Sequence, residues 1–231
     1  MLRDSGLLAA GGSSITLNFG HALAKPTSSI LIIMAVTLLS IAPSLLIMLT
    51  GFVRISIVLS ITRQALGLQT IPPNQVIAGL ALFLSLFLMA PTLSAMNRQA
   101  LQPYLNGKIN ATQAYRDAEV PLKTWMLKQT GTAELNLMDT AAKAKPATPL
   151  GAPMDAVIPA FLLTQLKDGF IIGFVIFVPF LIIDLVVSAT LAAMGVVMLP
   201  PTLVSLPFKV LLFLLVNGWM LITQSLLGSF R

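Results

Sequence analysis

The sequence contains no cysteine and only one histidine, His21. Without thiols the chain can form neither a disulfide framework nor a thiolate metal site, so cysteine usage gives no information on its redox compartment. His21 lies in a Gly- and Ser-rich N-terminal stretch and has no second histidine to share a metal with. We therefore predict no metal site and no cofactor.

The motifs of common active sites are also missing. The sequence has no Gly-rich phosphate loop, no His-Glu-x-x-His pair, no nucleophile elbow and no paired-carboxylate motif. Both glutamates, Glu119 and Glu134, fall in the most polar segment, where solvation explains them. We predict no active site, and an enzyme is the least favoured class of protein.

Charged side chains are scarce, whereas apolar ones are abundant. Asp, Glu, Lys and Arg make up 10% of the residues and hydrophobic residues 56%, against about 25% and roughly 45–50% in soluble domains. Because so few charged residues cannot form a water-soluble surface, we expect lipid or partner subunits to cover the chain. The net charge is +6, but the basic residues are scattered without interleaved aromatics, which argues against nucleic-acid binding.

A polar insertion separates two apolar regions. We predict an N-terminal leader at 1–29, a first hydrophobic hairpin region at 30–96, a polar extracytoplasmic insertion at 97–155 and a second hydrophobic hairpin region at 156–231. The insertion holds 7 of the 14 basic and 5 of the 8 acidic residues, with an amphipathic helix expected over Arg116–Leu127 and an irregular connection over Lys143–Pro153. The predicted fold is all-α: a membrane-associated protein of about four long, broken hydrophobic helices or helical hairpins plus a partly helical insertion.

The leader faintly resembles a secretory signal peptide. Arg3 lies near its start and Ala22-Leu23-Ala24 resembles a cleavage site, but the apolar patch Leu7–Ala10 is shorter than a signal peptide requires. Cleavage and retention of the leader both stay open.

Prolines and one asparagine mark where we expect the hydrophobic helices to bend or end. Ile30–Val53 has no charge over 24 residues, enough to cross a hydrocarbon core of about 30 Å, with a bend expected at Pro43. The later runs are Val76–Met96, Gly169–Met198 and Phe208–Leu227. We expect the second run to end at Pro91 and the third to break at Pro179, and Asn74 is the expected N-cap of the second.

Basic residues in short connections orient the chain. Arg54 and Arg63 lie without an acidic residue near the first double proline, and Lys209 lies near the second. By the positive-inside rule both connections face the cytoplasm, so the insertion and both termini lie outside.

Ionised residues that interrupt the apolar runs are candidates for helix contacts or assembly. They are Arg54, Lys167, Asp168, Asp184 and Lys209, and an ion facing lipid costs roughly 2.5–3.5 kcal/mol. For the three cations, snorkelling to the membrane surface is an equal alternative. Asp184 lies too deep in its run to snorkel, so an ion pair or a backbone partner is expected.

Gly169 and Gly173 form a small-xxx-small pair ahead of Asp184. At 100° per residue Asp184 falls about 60° round the helix from Gly169, on nearly the same face. That face is expected to meet another helix.

A methionine-bearing segment ends at the second double proline. Met194, Gly195, Val196, Val197 and Met198 are the candidate residues of a pore constriction, because flexible thioethers fill irregular gaps and yield to varied cargo. Core packing by methionine is the favoured alternative on these residues alone.

Ordered motifs in both apolar regions resemble the FliP family of flagellar biosynthetic proteins. They are Leu49–Arg54, Arg63–Gln69, Pro72–Val76 and Gly79–Leu84 in the first region, and Phe170–Leu185, Met194–Pro201, Ser205–Lys209 and Gly218-Trp219 in the second. The resemblance runs from about Ile30 to the C-terminus, and these motifs are long and jointly specific.

The resemblance implies a subunit of the export gate of the flagellar type III secretion apparatus, in the inner membrane at the flagellar basal body. In that family about five copies join two other small hydrophobic gate proteins around a conduit for unfolded export substrates. The family's methionine-rich constriction maps onto Met194–Met198. This chain departs from the family at Val196 and Val197, where methionine is common, at Gln165, where glutamate is usual, and at Asn217, where aspartate is usual.

Two other functions stay open at this point. The homologous export-gate subunit of a virulence injectisome shares the fold. A self-contained secondary transporter would also have broken helices, here at Pro72-Pro73 and Pro200-Pro201, and a buried acid such as Asp184.

Overall fold

The computed structural model describes residues 28–196 and 198–230, and helices are the only regular elements in those ranges. The α-helices in those ranges are α1 (Ser28–Leu49), α2 (Phe52–Ala65), α3 (Asn74–Met96), α4 (Gln102–Leu105), α5 (Ala111–Lys128), α6 (Thr132–Ala141), α7 (Met154–Ala193), α8 (Pro201–Leu215) and α9 (Gly218–Gly228). Of these, α4 is a single turn. A π-helical turn, Asn97–Leu101, joins α3 to α4, and a 3-10 turn, Pro149–Gly151, precedes α7. The all-α prediction is confirmed.

The chain divides into two compact units, residues 1–43 and 44–231. Within the first, the structure describes the N-terminal part of α1, and the predicted leader lies almost wholly outside the described residues. The second unit contains every other helix.

Within residues 28–196 and 198–230, two helices are long and apolar enough to cross a membrane: the continuous run Asn74–Leu105, which includes α3, and α7. Two broken pairs reach the same length and hydropathy together, Leu39–Leu49 with α2 and α8 with α9. The latter pair is bent by 64°. The expected count of about four apolar helices or hairpins is therefore confirmed.

Prolines interrupt these helices less than expected. α3 continues through Pro91 and ends at Met96, the last residue of the predicted run, whereas α7 continues for 40 residues through Pro179. The helix-ending role of Pro91 and the break at Pro179 are therefore wrong, while the predicted end at Met96 is confirmed. α1 likewise extends beyond Pro43. A proline removes a single backbone donor, and long apolar helices tolerate that loss where the surrounding bonds are kept.

Two asparagines have roles that the sequence pattern did not indicate. The predicted N-cap role of Asn74 is wrong, because Pro73 caps α3 and the Asn74 side chain instead accepts a 2.7 Å hydrogen bond from Arg63. Asn217 takes the left-handed conformation, with φ of 52°, and divides the expected Phe208–Leu227 helix into α8 and α9. Asparagine adopts this backbone more readily than most residues do.

The second unit has two cores. The body core joins α2, α3, α7, α8 and α9 and includes Val58, Leu59, Ala81, Phe213 and Leu226. The insertion core lies between α5, α6 and the start of α7 and includes Met126, Val157 and Phe161. α7 belongs to both, so it fixes the insertion to the apolar body.

Candidate functional site

Arg54 lies inside the chain, not in a surface connection. Its side chain is 2% exposed on α2, and its Nη2 lies 2.8 Å from Asp168 Oδ2 on α7. Nη1 donates to the backbone oxygen of Ser229 at 2.9 Å, and the guanidinium carbon lies 4.4 Å from the centre of the Phe230 ring. The snorkelling alternative therefore does not apply to Arg54 in this structure.

Gly169 and Gly173 lie where α7 meets α2. A Cβ at Gly169 would lie 3.2 Å from Cβ of Ile57 and 3.4 Å from Cα of Arg54, and one at Gly173 would lie 2.4 Å from Cδ1 of Ile61. Because side chains are absent at these positions, the two backbones approach closely. The pair thus makes a helix contact within the chain.

Asp184 and Lys209 form a second ion pair, between α7 and α8. Lys209 Nζ lies 2.5 Å from Asp184 Oδ2, and the Ser205 hydroxyl donates to Oδ1 of the same carboxylate. Lys209 is 3% exposed and Ser205 is fully buried, while the Asp184 side chain keeps 24% of its surface. A charge-assisted network therefore joins the two helices of the α7–α8 hairpin in an otherwise apolar surrounding.

Asp184 does not share its helix partner with the glycine pair. Gly169 and Gly173 face α2, whereas Asp184 faces α8. α2 contacts Gly173 through Ile61 and ends four residues later, at Ala65. Asp184 lies about 16 Å beyond Gly173 along α7, at 1.5 Å per residue. The glycine pair and Asp184 therefore contact two different helices, because α2 ends before it reaches the position of Asp184 along α7.

Gly195 ends α7 and creates the loop that carries the methionines. Its φ is +70°, and the amides of Gly195 and Val196 donate to the carbonyls of Ala192 and Leu191, which is the pattern of a Schellman cap. Glycine therefore terminates the helix at a fixed point. Met194, just before Gly195, is 62% exposed. After Gly195, Val196 is half-buried and Met198 is 95% exposed, while Val197 lies outside the described residues.

Lys167 lies on the insertion side of α7 and contacts α6. Its Nζ donates to Glu134 Oε1 at 3.0 Å. This bond, with a backbone hydrogen bond of Glu134 itself, lowers the pKa of the Glu134 carboxyl below its ordinary value, although partial desolvation opposes the shift. The pair ties the insertion to the start of α7.

Several residues of these contacts were not singled out in advance. Ser205, Ser229 and Phe230 complete the two buried networks, and only the motif Ser205–Lys209 carried a signal. Gln165 is fully buried and donates to the backbone oxygen of Gln129 at 3.3 Å. The position where the family usually has glutamate therefore makes an internal contact in this chain.

Comparison with known proteins places this architecture in a family. The sequence profile of the FliP family matches residues 35–226. The flagellar biosynthetic protein FliP of Bacillus subtilis (strain 168) is 50% identical over 205 residues, which cover 88% of this chain and 93% of that protein. The proteins of the same name from Aquifex aeolicus (strain VF5) and Caulobacter vibrioides are 45% and 41% identical, covering 88% and 96% of this chain and 86% and 84% of theirs.

Proposed function

The chain belongs to the FliP family, whose members are components of the flagellar export apparatus, and from that premise we propose that several copies form a conduit for unfolded flagellar proteins. In this proposal about five copies join two other small hydrophobic gate subunits around a closed axis. The chain contributes structure and not catalysis, and the energy for export comes from other components.

The observation that carries the proposal is the exposed loop at the end of the α7–α8 hairpin. Met198 projects almost fully into solvent, Gly195 fixes where the helix ends, and the Asp184–Lys209 pair braces the hairpin behind it. A flexible side chain on a braced support suits a ring that closes on itself and deforms for cargo. Met194, Val196, Val197 and Met198 are the proposed constriction residues.

The apolar surface of the second unit supports a covered position in a larger assembly. The side chains of Phe83, Phe87, Phe174 and Leu215 are each more than half exposed. Large apolar side chains exposed on several helices of one chain mark a surface that a partner or lipid covers. We propose that lipid and sister subunits cover it, in a multi-pass inner-membrane complex at the flagellar basal body with the insertion outside the cytoplasm.

Leakage through the assembly tests the constriction. Met198→Gly should raise ion conductance across membranes containing the complex, because the ring loses its sealing side chains. Met220→Gly, which changes another exposed methionine on α9, is the matched control and should leave conductance unchanged. Equal conductance of Met198→Gly and the unmodified complex would count against a constriction at this residue.

Deleting the gene tests the export system to which the chain contributes. Loss of flagellar filaments, with host-directed secretion intact, is the expected result. The opposite outcome would support the injectisome. Rescue of filaments by the unmodified chain, and not by a chain lacking residues 194–198, would tie the phenotype to the loop.

A further inference from the structure

We propose that Ser229 and Phe230 close a clasp around Arg54, and that this clasp fixes the end of α9 to α2 and α7. The clasp is defined here as Gly51, Arg54, Asp168, Ser229 and Phe230. Phe230 acts as a positioning residue, because it holds the plane of the guanidinium that bonds the other two partners.

Arg54 joins three segments that are far apart in the sequence. Its two terminal nitrogens reach Asp168 at 2.8 Å and the Ser229 carbonyl at 2.9 Å, across 114 and 175 residues of chain. The planar fork of arginine can serve both acceptors at once, whereas the single ammonium of lysine cannot match that geometry. The guanidinium is therefore the centre of the contact and not an interchangeable positive charge.

Phe230 supplies the other face of the contact. Its ring lies under the guanidinium and against Gly51, where an added Cβ would approach ring atom Cε1 to 2.6 Å. Glycine is thus required at position 51 for the ring to sit where it does. A cation over an aromatic face gains most when both are removed from water, and Arg54 is almost fully buried.

α9 has few other means of fixing its end. It is an 11-residue helix, set off from α8 by the bend at Asn217, and isolated helices below about 12–15 residues are marginal. Ile222 and Leu226 are buried in the body core, but apolar contacts alone specify position poorly when lipid is as apolar as the core. Directional bonds from Arg54 to Ser229 set the register that those contacts leave free.

Amide exchange in the full chain, isolated from membranes with its co-purifying subunits, measures the clasp directly. Arg54→Met and Phe230→Leu should each speed exchange of amides at 225–230 by about tenfold or more, since the first removes the donor of the buried hydrogen bonds and the second removes the aromatic face that holds the guanidinium in place. Phe230→Tyr keeps the aromatic face and should exchange like the unmodified chain. Amides of α3 serve as the internal reference and should not change.

A steric series provides an independent readout if Arg54→Met cannot be recovered. Gly51→Ala should loosen the same 225–230 amides by displacing the ring, and combining it with Phe230→Leu should add no further loosening. Gly228→Ala is the control, because an added Cβ there meets nothing within 4 Å. Equal exchange in Phe230→Leu and Phe230→Tyr, or fully additive effects of Gly51→Ala and Phe230→Leu, would overturn the clasp.

Discussion

The two ends of α7 differ in what covers them. Between Met154 and Gly173 the helix has eight buried residues, whereas Phe180 and Leu191 are the only ones recorded as buried in the rest of it. Phe161 in the first half is fully buried, while Phe174 and Leu185 further along are 64% and 62% exposed. The first part of α7 is therefore covered by other helices of the same chain, whereas much of the second part remains exposed.

Each end of α7 also carries an ion pair, and the pair at the first end has more segments of the chain packed around it than the pair at the second end. Arg54–Asp168 lies among α2, α7 and the segment after α9, which all belong to this chain. Asp184–Lys209 joins only α7 and α8, beside a largely exposed apolar surface. Both pairs are intramolecular, but the first end lies among several packed segments, whereas the second lies beside an exposed apolar surface that the proposed function assigns to lipid or sister subunits.

The largest expected effect is at the second end. Asp184→Leu leaves the ammonium of Lys209 buried without its carboxylate, and removing one member of a buried pair costs about 3–5 kcal/mol. Membrane insertion should persist, but the complex should weaken or disappear on native gels.

The double substitution Asp184→Leu with Lys209→Leu is the matched control. It removes both charges, and apolar replacements of a buried pair are often nearly neutral, so much of the complex should return. A complex of unchanged amount in the single variant would show that this end does not depend on the pair.

Phe161→Ala probes the first end. Phe161 is fully buried and its ring packs against Trp125 with centroids 5.3 Å apart, so a loss of about 3–5 kcal/mol in unfolding free energy is expected, less where neighbours relax into the cavity. Tryptophan fluorescence during denaturation measures it.

Phe174→Ala is the counterpart at the exposed end. It should leave the stability of the separated chain unchanged while lowering the yield of complex. Equal losses of stability in Phe161→Ala and Phe174→Ala would contradict the contrast between the two ends of α7.

The composition of the chain predicted much of the body. Long uncharged runs predicted apolar helices, and the helix expected over Arg116–Leu127 lies within α5. The residues Arg54, Asp184 and Lys209 could also be singled out in advance, since an ion within an apolar run needs either a partner or access to the membrane surface.

Partners and helix ends could not be predicted in the same way. Which helix Asp184 meets depends on how α2 and α8 pack along α7, a tertiary property that no local pattern encodes. Pro91 and Pro179 suggested breaks because proline has a poor local helix propensity, yet α3 and α7 both continue past these residues. Phe230 gave no signal, since an aromatic residue near a chain end is ordinary until a buried cation lies over it.

Gly173→Ala should have a smaller effect, again at the first end. The new methyl group would lie 2.4 Å from Cδ1 of Ile61, so α2 and α7 must separate or Ile61 must change rotamer, at a cost of about 1–3 kcal/mol. Ile61→Val removes that Cδ1 atom and should recover part of the loss in thermal unfolding experiments. Gly79→Ala on α3, where an added Cβ meets nothing within 4 Å, should not destabilise the chain, and an equal loss there would refute a specific contact at Gly173.

The smallest effect concerns the contact between the insertion and the first end. Lys167 lowers the pKa of Glu134, so the ionised carboxylate stabilises the folded state above the ordinary pKa of 4.5, and this contribution fades as pH falls through the lower pKa of the folded state. Glu134→Gln should therefore lower the melting temperature slightly at neutral pH and flatten its dependence on pH below 4.5 by the same small amount, because Lys167 is well exposed and the pair is weak. Glu119→Gln, which removes the partner of Lys123 within α5, is the control for a general loss of surface charge. If both variants flattened the pH dependence of the melting temperature equally, the Lys167–Glu134 bond between α6 and α7 would not be its cause. The insertion would then be held to α7 by its apolar core alone.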